Sequence, residues 1–329
     1  MDIISFGFIT FLIAFTIVFK DRFTASVIGL LLTYSINLQN SIFRGLHVTT
    51  GFENSMVGLE RCLGFTSCPS EKPKEMAVDE VLNSWPSQGK IKFENFSVKY
   101  RPDTEVVLKN LNFDVDAHEK IGIVGRTGSG KSTISLCLFR IIEPMSGKIS
   151  IDGVDITTLG LSKLRSSLTI IPQDPSLMEG TLRYNIDPLG KYSDSEILDV
   201  MKKIDFQYIV QNSADGINQV IAEGGSNLSV GEKQLICIVR AILRKSKIVV
   251  MDEATASIDY QTEETIQKAI NEILKDSTVL TIAHRIKTIM NCSRILALEN
   301  GEIVDYDTPR NLLDKKEGLF YDLYTKSTL

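Results

Sequence analysis

The chain has 329 residues, enough for two domains and a substantial core. Its 36 basic and 41 acidic residues leave a net charge of −5, without the basic excess that marks a nucleic-acid-binding domain. The five cysteines (Cys62, Cys68, Cys137, Cys237 and Cys292) are scattered and form no C-x-x-C pair, which argues for free thiols in a reducing compartment and against a disulfide frame or a zinc site.

Ile3 to Phe19 is a run of 17 residues without a charge, at the short limit for a membrane span. A signal peptide fits poorly, because Met1-Asp2 is not basic and no small-residue cleavage site follows. After Lys20-Asp21-Arg22 a second uncharged run extends from Phe23 to Ser41, with Asn37, Gln39 and Asn40 late in it. Polar groups at that depth read as the exit from a bilayer or the wall of a pathway. The two runs are read as a transmembrane helical hairpin; a buried soluble hairpin is the competing reading. No proline occurs from Phe23 to Leu63, so the second helix is expected to continue for about 60 Å, roughly twice the hydrocarbon core. Pro69, Pro73 and Pro86 then mark a linker. The expected organisation is a partial transmembrane domain over 1–66, a linker over 67–90 and a globular domain over 91–329.

In the globular part, Phe96, Val98 and Tyr100 alternate, as do Leu111, Phe113 and Val115, so both segments are expected to be half-buried strands. "IGIV" (121–124) reads as a short buried strand, Lys131 to Ile142 as a helix, and "GKISIDG" as a strand and turn. Ser193-Asp194-Ser195-Glu196 is a capping box ahead of a helix over Ile197 to Ile209. "KIVVMDEA" and "STVLTIAH" are two further strands, separated by a helix over Glu263 to Leu274, and Asn300-Gly301 is a hairpin turn. Strand–helix alternation with apolar strands predicts an α/β fold with a mostly parallel core sheet, the early antiparallel strands forming a side sheet.

"GRTGSGKS", Gly125 to Ser132, fits G-x-x-x-x-G-K-[ST] between a strand and a helix. Gly125, Gly128 and Gly130 let the backbone N–H groups of the loop, including those of Arg126, Thr127 and Ser129, turn inward around phosphate oxygens. The helix start adds positive potential. Lys131 is placed to reach the β- and γ-phosphates, Ser132 to ligate Mg²⁺, and Thr133 to donate a further hydrogen bond. "IVVMDE" (248–253) reads as a buried strand ending at this site, with Asp252 in the Mg²⁺ shell through Ser132 or a water, and Glu253 as general base for the attacking water. His284 closes another strand and can contact the γ-phosphate. Gln173, in "IIPQDP", follows a strand as well; its amide can ligate Mg²⁺ or sense the γ-phosphate. Tyr100, at the end of its strand, is either a base-stacking aromatic or a core residue.

"LSVGEKQ" (228–234), ahead of the Asp252-Glu253 strand, resembles the signature motif of ATP-binding-cassette (ABC) ATPases. "IPQDPSLMEGTLRYNIDP", "YSDSEI" and "ENSMVGLERCL" (53–63) resemble subfamily C, the multidrug-resistance-associated type, in its second nucleotide-binding domain and the helix leading out of its last membrane span. The resemblance covers essentially the whole chain and is most specific over 91–310. It implies a P-loop NTPase ABC cassette with a helical signature subdomain, bound to ATP and Mg²⁺. It casts Tyr100 as the adenine platform, Gln173 as the Q-loop, 256–259 as the D-loop and His284 as the switch histidine. Ser229 and the backbone of Gly231 would cap the γ-phosphate held by a second, partner cassette. It also implies an integral membrane protein with a cytosolic cassette, surrounded by lipid and further transmembrane helices, with a transported substrate that these residues do not name. Two positions depart from the pattern: Glu232 stands where the family usually has Gln, and Val230 where it usually has Gly. With two candidate spans and one cassette, the chain reads as the C-terminal part of an exporter; the rival is a truncated product that binds ATP in a regulatory role.

Overall fold

The computed structural model describes residues 2–19, 22–82, 84–252, 270, 272–283 and 286–328. They divide into two units, 1–71 and 72–329.

The first unit is helical. Helix α1 (Asp2–Val18) is joined by a short turn to α2 (Ala25–Thr66), which runs unbroken for 42 residues. The hydroxyls of Thr10, Thr33, Ser41, Thr49 and Ser55 donate to carbonyls four residues back, so their polar groups are satisfied inside the helix. Phe6, Phe11 and Ile17 of α1 and Leu30, Tyr34 and Leu38 of α2 are exposed. The two expected helices are therefore present. Among the described residues, however, no helix is long and apolar enough to cross a membrane. The physical reason lies in length and composition: 17 residues of α1 reach about 25 Å, and Asn37, Gln39, Asn40 and Arg44 dilute the apolar run of α2.

In the second unit, the segment after the prolines does not hang free. The Pro73 and Lys74 carbonyls accept from the Leu161 and Ser162 N–H groups, and after a short helix α3 (Val78–Val81) the buried Trp85 indole donates to the Ile151 carbonyl at 3.0 Å. Gly160 permits this approach, since a Cβ there would lie 2.3 Å from Asp79 Oδ2 and 2.5 Å from the Lys74 carbonyl. Asp152 completes the strap. Its carboxylate accepts the backbone N–H groups of Ser87, Gln88, Gly89 and Lys90 at 2.7, 2.9, 3.2 and 2.8 Å. Burial pushes its pKa up, but the four donors outweigh that and hold it below the ordinary carboxylate value. A depressed carboxylate pKa stabilises the fold fully above the unfolded-state value of about 4 and ceases to do so as pH falls through the native one. Asp152→Asn is expected to lower the unfolding free energy at neutral pH by about 1–3 kcal/mol and to flatten this acid limb. Urea titrations of both proteins at neutral and acid pH check it.

Two sheets follow. Strands β1 (Ile91–Val98), β2 (Leu108–Val115), β4 (Ser146–Ile151) and β5 (Val154–Asp155) form the antiparallel side sheet in the order β2-β1-β4-β5. Asp152 and Gly153, both at positive φ (49° and 80°), make the tight turn between β4 and β5. The core sheet runs β12-β11-β3-β10-β9-β6. Its strands are β3 (Lys120–Gly125), β6 (Leu168–Ile171), β9 (Ile248–Asp252), β10 (Thr278–Ile282), β11 (Arg294–Glu299) and β12 (Glu302–Asp307). All pairs are parallel except β11–β12, the hairpin turned at Asn300-Gly301. Alternate residues of the parallel strands feed two cores. Ile248, Val250, Leu280 and Ile282 pack toward the side sheet and α4 (Lys131–Leu138), where Phe93 stacks on Phe113 with centroids 4.4 Å apart. Val249, Met251 and Val279 pack among the helices α7 (Asp194–Lys203), α8 (Tyr208–Gln211) and α9 (Val230–Arg244). The remaining elements are α5 (Leu161–Ser167), α6 (Leu182–Ile186), a two-stranded ribbon of β7 (Gly180–Thr181) and β8 (Val220–Ile221), and the C-terminal α10 (Ile286–Ile289), α11 (Pro309–Asp314) and α12 (Leu319–Thr328).

Two helices end earlier than expected. α4 stops at Leu138 because Arg140 takes a left-handed conformation (φ 49°) and turns its guanidinium inward onto the Ile156 and Leu159 carbonyls, at 2.9 and 2.7 Å. The helix from the Ser193–Glu196 capping box breaks after Lys203, where Asp205 reverses its φ to 56° and Phe206 turns into the core. All five cysteines are free; Cys137 and Cys237 are buried, while Cys62 and Cys68 are exposed. Burial pushes the Cys137 and Cys292 thiols up to about 12, which keeps them protonated.

Candidate nucleotide site

Strand register gathers the candidate residues at one end of the core sheet. Ile282 of β10 pairs with Ile123 of β3 on one side and Asp252 of β9 on the other, and Ile171 of β6 pairs with Met251. The glycine-rich loop therefore leaves β3, Asp252 closes β9 and Gln173 follows β6 at the carboxyl ends of neighbouring parallel strands, the edge at which α/β sheets bind ligands. Glu253, His284 and residues 256–259 lie outside the described residues, although Glu253 directly follows the end of β9 and residue 284 comes two after the end of β10.

The loop itself is a cradle. Gly128 and Gly130 sit at φ 82° and 100°, left-handed values that other residues resist. A Cβ on Gly130 would lie 2.5 Å from Leu108 Cδ2, and one on Gly125 would lie 2.4 Å from both the Leu298 carbonyl and Ser129 Oγ. Lys131 opens α4, and its ammonium donates to the Gly125 and Arg126 carbonyls at 2.8 and 3.0 Å, holding the lysine across the loop. Ser129 Oγ is buried and has no hydrogen-bond partner among the described residues, a polar atom that a phosphate oxygen would satisfy. Arg126, Thr127 and Ser132 are exposed, and Arg126 lies 3.8 Å from Glu299. Ser132, Gln173 and Asp252 carry a hydroxyl, an amide oxygen and a carboxylate, hard oxygen donors of the kind that suit Mg²⁺. Among the described residues no group of three His, Cys, Asp or Glu gathers as a metal cluster.

Tyr100 is 52% exposed, so it is not a core residue, and its hydroxyl lies 3.1 Å from Thr133 Oγ1. Thr133, expected to serve a phosphate, shares this hydrogen bond with the tyrosine. Tyr100→Ala is expected to weaken ATP binding by about 1–3 kcal/mol, while Tyr100→Trp keeps it, because stacking needs only a π face. Titration with a fluorescent ATP analogue checks this; unchanged affinity for the alanine variant would exclude a stacking role.

The turn at Ser229 starts α9. Ser229 is its N-cap and Gly231 lies in its first turn. Glu232 closes a capping box: its carboxylate accepts the Ser229 N–H at 2.8 Å and hydroxyl at 2.7 Å, and its own N–H donates to Ser229 Oγ at 3.2 Å. Lys233 donates to the Gly224 carbonyl at 2.9 Å.

Similarity to known proteins agrees with this geometry. Residues 108–256 match the ABC transporter family model. The chain is 42% identical over 94% of its length to ATP-binding cassette sub-family C member 3 of Rattus norvegicus, covering 20% of that protein. Residues 108–256 belong to the ABC transporter family. The chain is also 43% identical to the metal resistance protein YCF1 of Saccharomyces cerevisiae, over 94% of the chain and 20% of the relative. The chain thus spans about a fifth of the length of these curated relatives. A bacterial Atm1-family ABC exporter solved with ATP bound superposes with a TM-score of 0.74 at 27% identity, over 91% of this chain and 53% of that one.

Two residues that hold the loop beyond Gln173, outside the nucleotide cradle, gave no signal in the sequence. Asn185 is fully buried and holds the loop that follows Gln173, accepting the Met178 N–H at 2.9 Å and donating to the Met178 carbonyl at 2.8 Å. Arg240, on α9, donates to the Asn185 carbonyl. Neither lies in a phosphate-type motif, and a buried asparagine on a five-residue helix is visible only once the loop is closed over it.

Proposed function

We propose that this chain is an ATP-hydrolysing cassette with adjoining membrane helices, working beside a second cassette and further transmembrane helices as part of a sub-family C exporter. The observation that carries the reading is the alignment of the Gly125–Ser132 cradle, Asp252 and Gln173 at the carboxyl edge of one parallel sheet.

In this reading the N–H groups of residues 126–131 and the Lys131 ammonium bind the β- and γ-phosphates, and Tyr100 stacks on the adenine. Ser132, Gln173 and Asp252 hold Mg²⁺, which when bound neutralises charge on the phosphate oxygens. Glu253 accepts the proton of a water attacking the γ-phosphorus in line, the bond to the β–γ bridging oxygen breaks, and ADP and phosphate leave. His284 orients the γ-phosphate. Catalysis is mostly positioning and charge stabilisation. Ser229 and the Gly231 N–H cap the nucleotide held by the partner cassette, so two cassettes pair head to tail. The domains are 1–66, 67–90 and 91–329, with the strap over 73–90 lying against the cassette.

The exposed apolar side chains of α1 and α2 support a place for both helices among lipid and other membrane helices, with the cassette in the cytosol. A pair of helices does not enclose a polar route through about 30 Å of hydrocarbon, so transport is assigned to the assembly. The test is phosphate release from ATP by the purified chain in lipid nanodiscs, with and without Mg²⁺. Mg²⁺-dependent release supports the reading; ATP binding with no release at any protein concentration contradicts it.

A further inference from the structure

We infer that Arg240 is a positioning residue that locks the loop carrying Gln173 to the helix carrying Ser229. The inference rests on the proposed head-to-tail reading. Its guanidinium reaches three acceptors of one short stretch: the Asn185 carbonyl from Nε, Asn185 Oδ1 from Nη2 at 3.3 Å and the Ser176 carbonyl from Nη1 at 3.4 Å. Asn185 passes the connection on. Besides both bonds to Met178, its amide donates to the Thr181 carbonyl at 3.2 Å. Residues 176–185 are thereby closed into one body that begins three residues after Gln173, and that body is pinned to α9 about one turn before its C-terminal end.

α9 is a continuous helix of 15 residues, and its own side chains Leu235, Ile236, Ile238 and Val239 are buried in the helical core. A shift of the loop when Gln173 meets a γ-phosphate must therefore carry α9 with it, and the Ser229 turn at the helix start moves as a consequence. The fork geometry matters. A planar guanidinium serves three acceptors at fixed angles, whereas an ammonium at the end of a lysine does not reproduce that arrangement. Arg240 lies outside the nucleotide cradle, so its replacement leaves the site's own contacts to ATP in place.

The experiment compares wild type, Arg240→Lys, Arg240→Ala and Ser229→Arg, each as the full chain in nanodiscs. ATP affinity, KM, kcat at high protein concentration, thermal stability and hydrogen exchange at residues 176–181 are measured. For Arg240→Lys we expect ATP affinity and KM near wild type, kcat lower by on the order of tenfold, and faster exchange at Met178 and Thr181. Arg240→Ala is expected to do the same or more. Wild-type kcat in Arg240→Lys would overturn the inference, as would a loss of kcat that tracks an equal loss of ATP affinity and melting temperature, the mark of a merely structural residue. If Ser229→Arg keeps full activity, the shared-site reading itself fails, and this inference with it.

Discussion

Replacing Lys131 with alanine is expected to weaken ATP binding by roughly thirty- to a hundredfold, equivalent to about 2–3 kcal/mol. The ammonium is already at the centre of the cradle, bonded to the Gly125 and Arg126 carbonyls. A polyphosphate that enters takes over a donor whose charge is in place, so little reorganisation is needed. Alanine removes two charge-assisted bonds and leaves those carbonyls without the lysine. The fold is expected to persist, because the buried side chains behind the loop, Ile134 and Leu138 of α4 and Ile123 of β3, are untouched. Nucleotide titration with circular dichroism in parallel checks both statements.

Glu253→Gln is expected to reduce turnover by on the order of a hundredfold or more while leaving the ATP dissociation constant unchanged. The amide is isosteric but does not take the proton that the attacking water must lose. The residue follows Asp252, whose place at the end of β9 beside β10 is fixed by the Asp252–Ile282 pairing. Single-turnover phosphate release, with binding measured separately, distinguishes a lost base from a lost site. Near-wild-type turnover would assign the base elsewhere.

The glycine-rich loop, the flanking strands and the Asn300-Gly301 hairpin were legible because each rests on local chemistry: left-handed glycines, alternating burial and a two-residue turn. The capping box at Ser193 was legible for the same reason. The strap was not. Its prolines announced a linker, but the contacts that lay it down come from Asp152 and Gly160, 60 residues or more downstream. The end of α4 was misread because Arg140 satisfies carbonyls at Ile156 and Leu159, which no local pattern near residue 140 records. At the site, the contact between Thr133 and Tyr100 was not legible, because it depends on how the side sheet packs on α4. Glu232 stood out as a departure in the signature turn; its carboxylate fits as the third helical residue of a capping box, a role open to either Gln or Glu.

The dependence of ATPase rate on protein concentration tests the shared site most directly. The described chain carries one phosphate cradle and one Ser229 turn, the first opening α4 and the second opening α9. Activity per molecule should therefore rise with concentration as cassettes pair, and Ser229→Arg should abolish the rise while ATP binding by the monomer stays intact, since the bulky cation blocks the partner's site. A rate strictly proportional to concentration in both proteins, with equal specific activity throughout, would contradict the shared site.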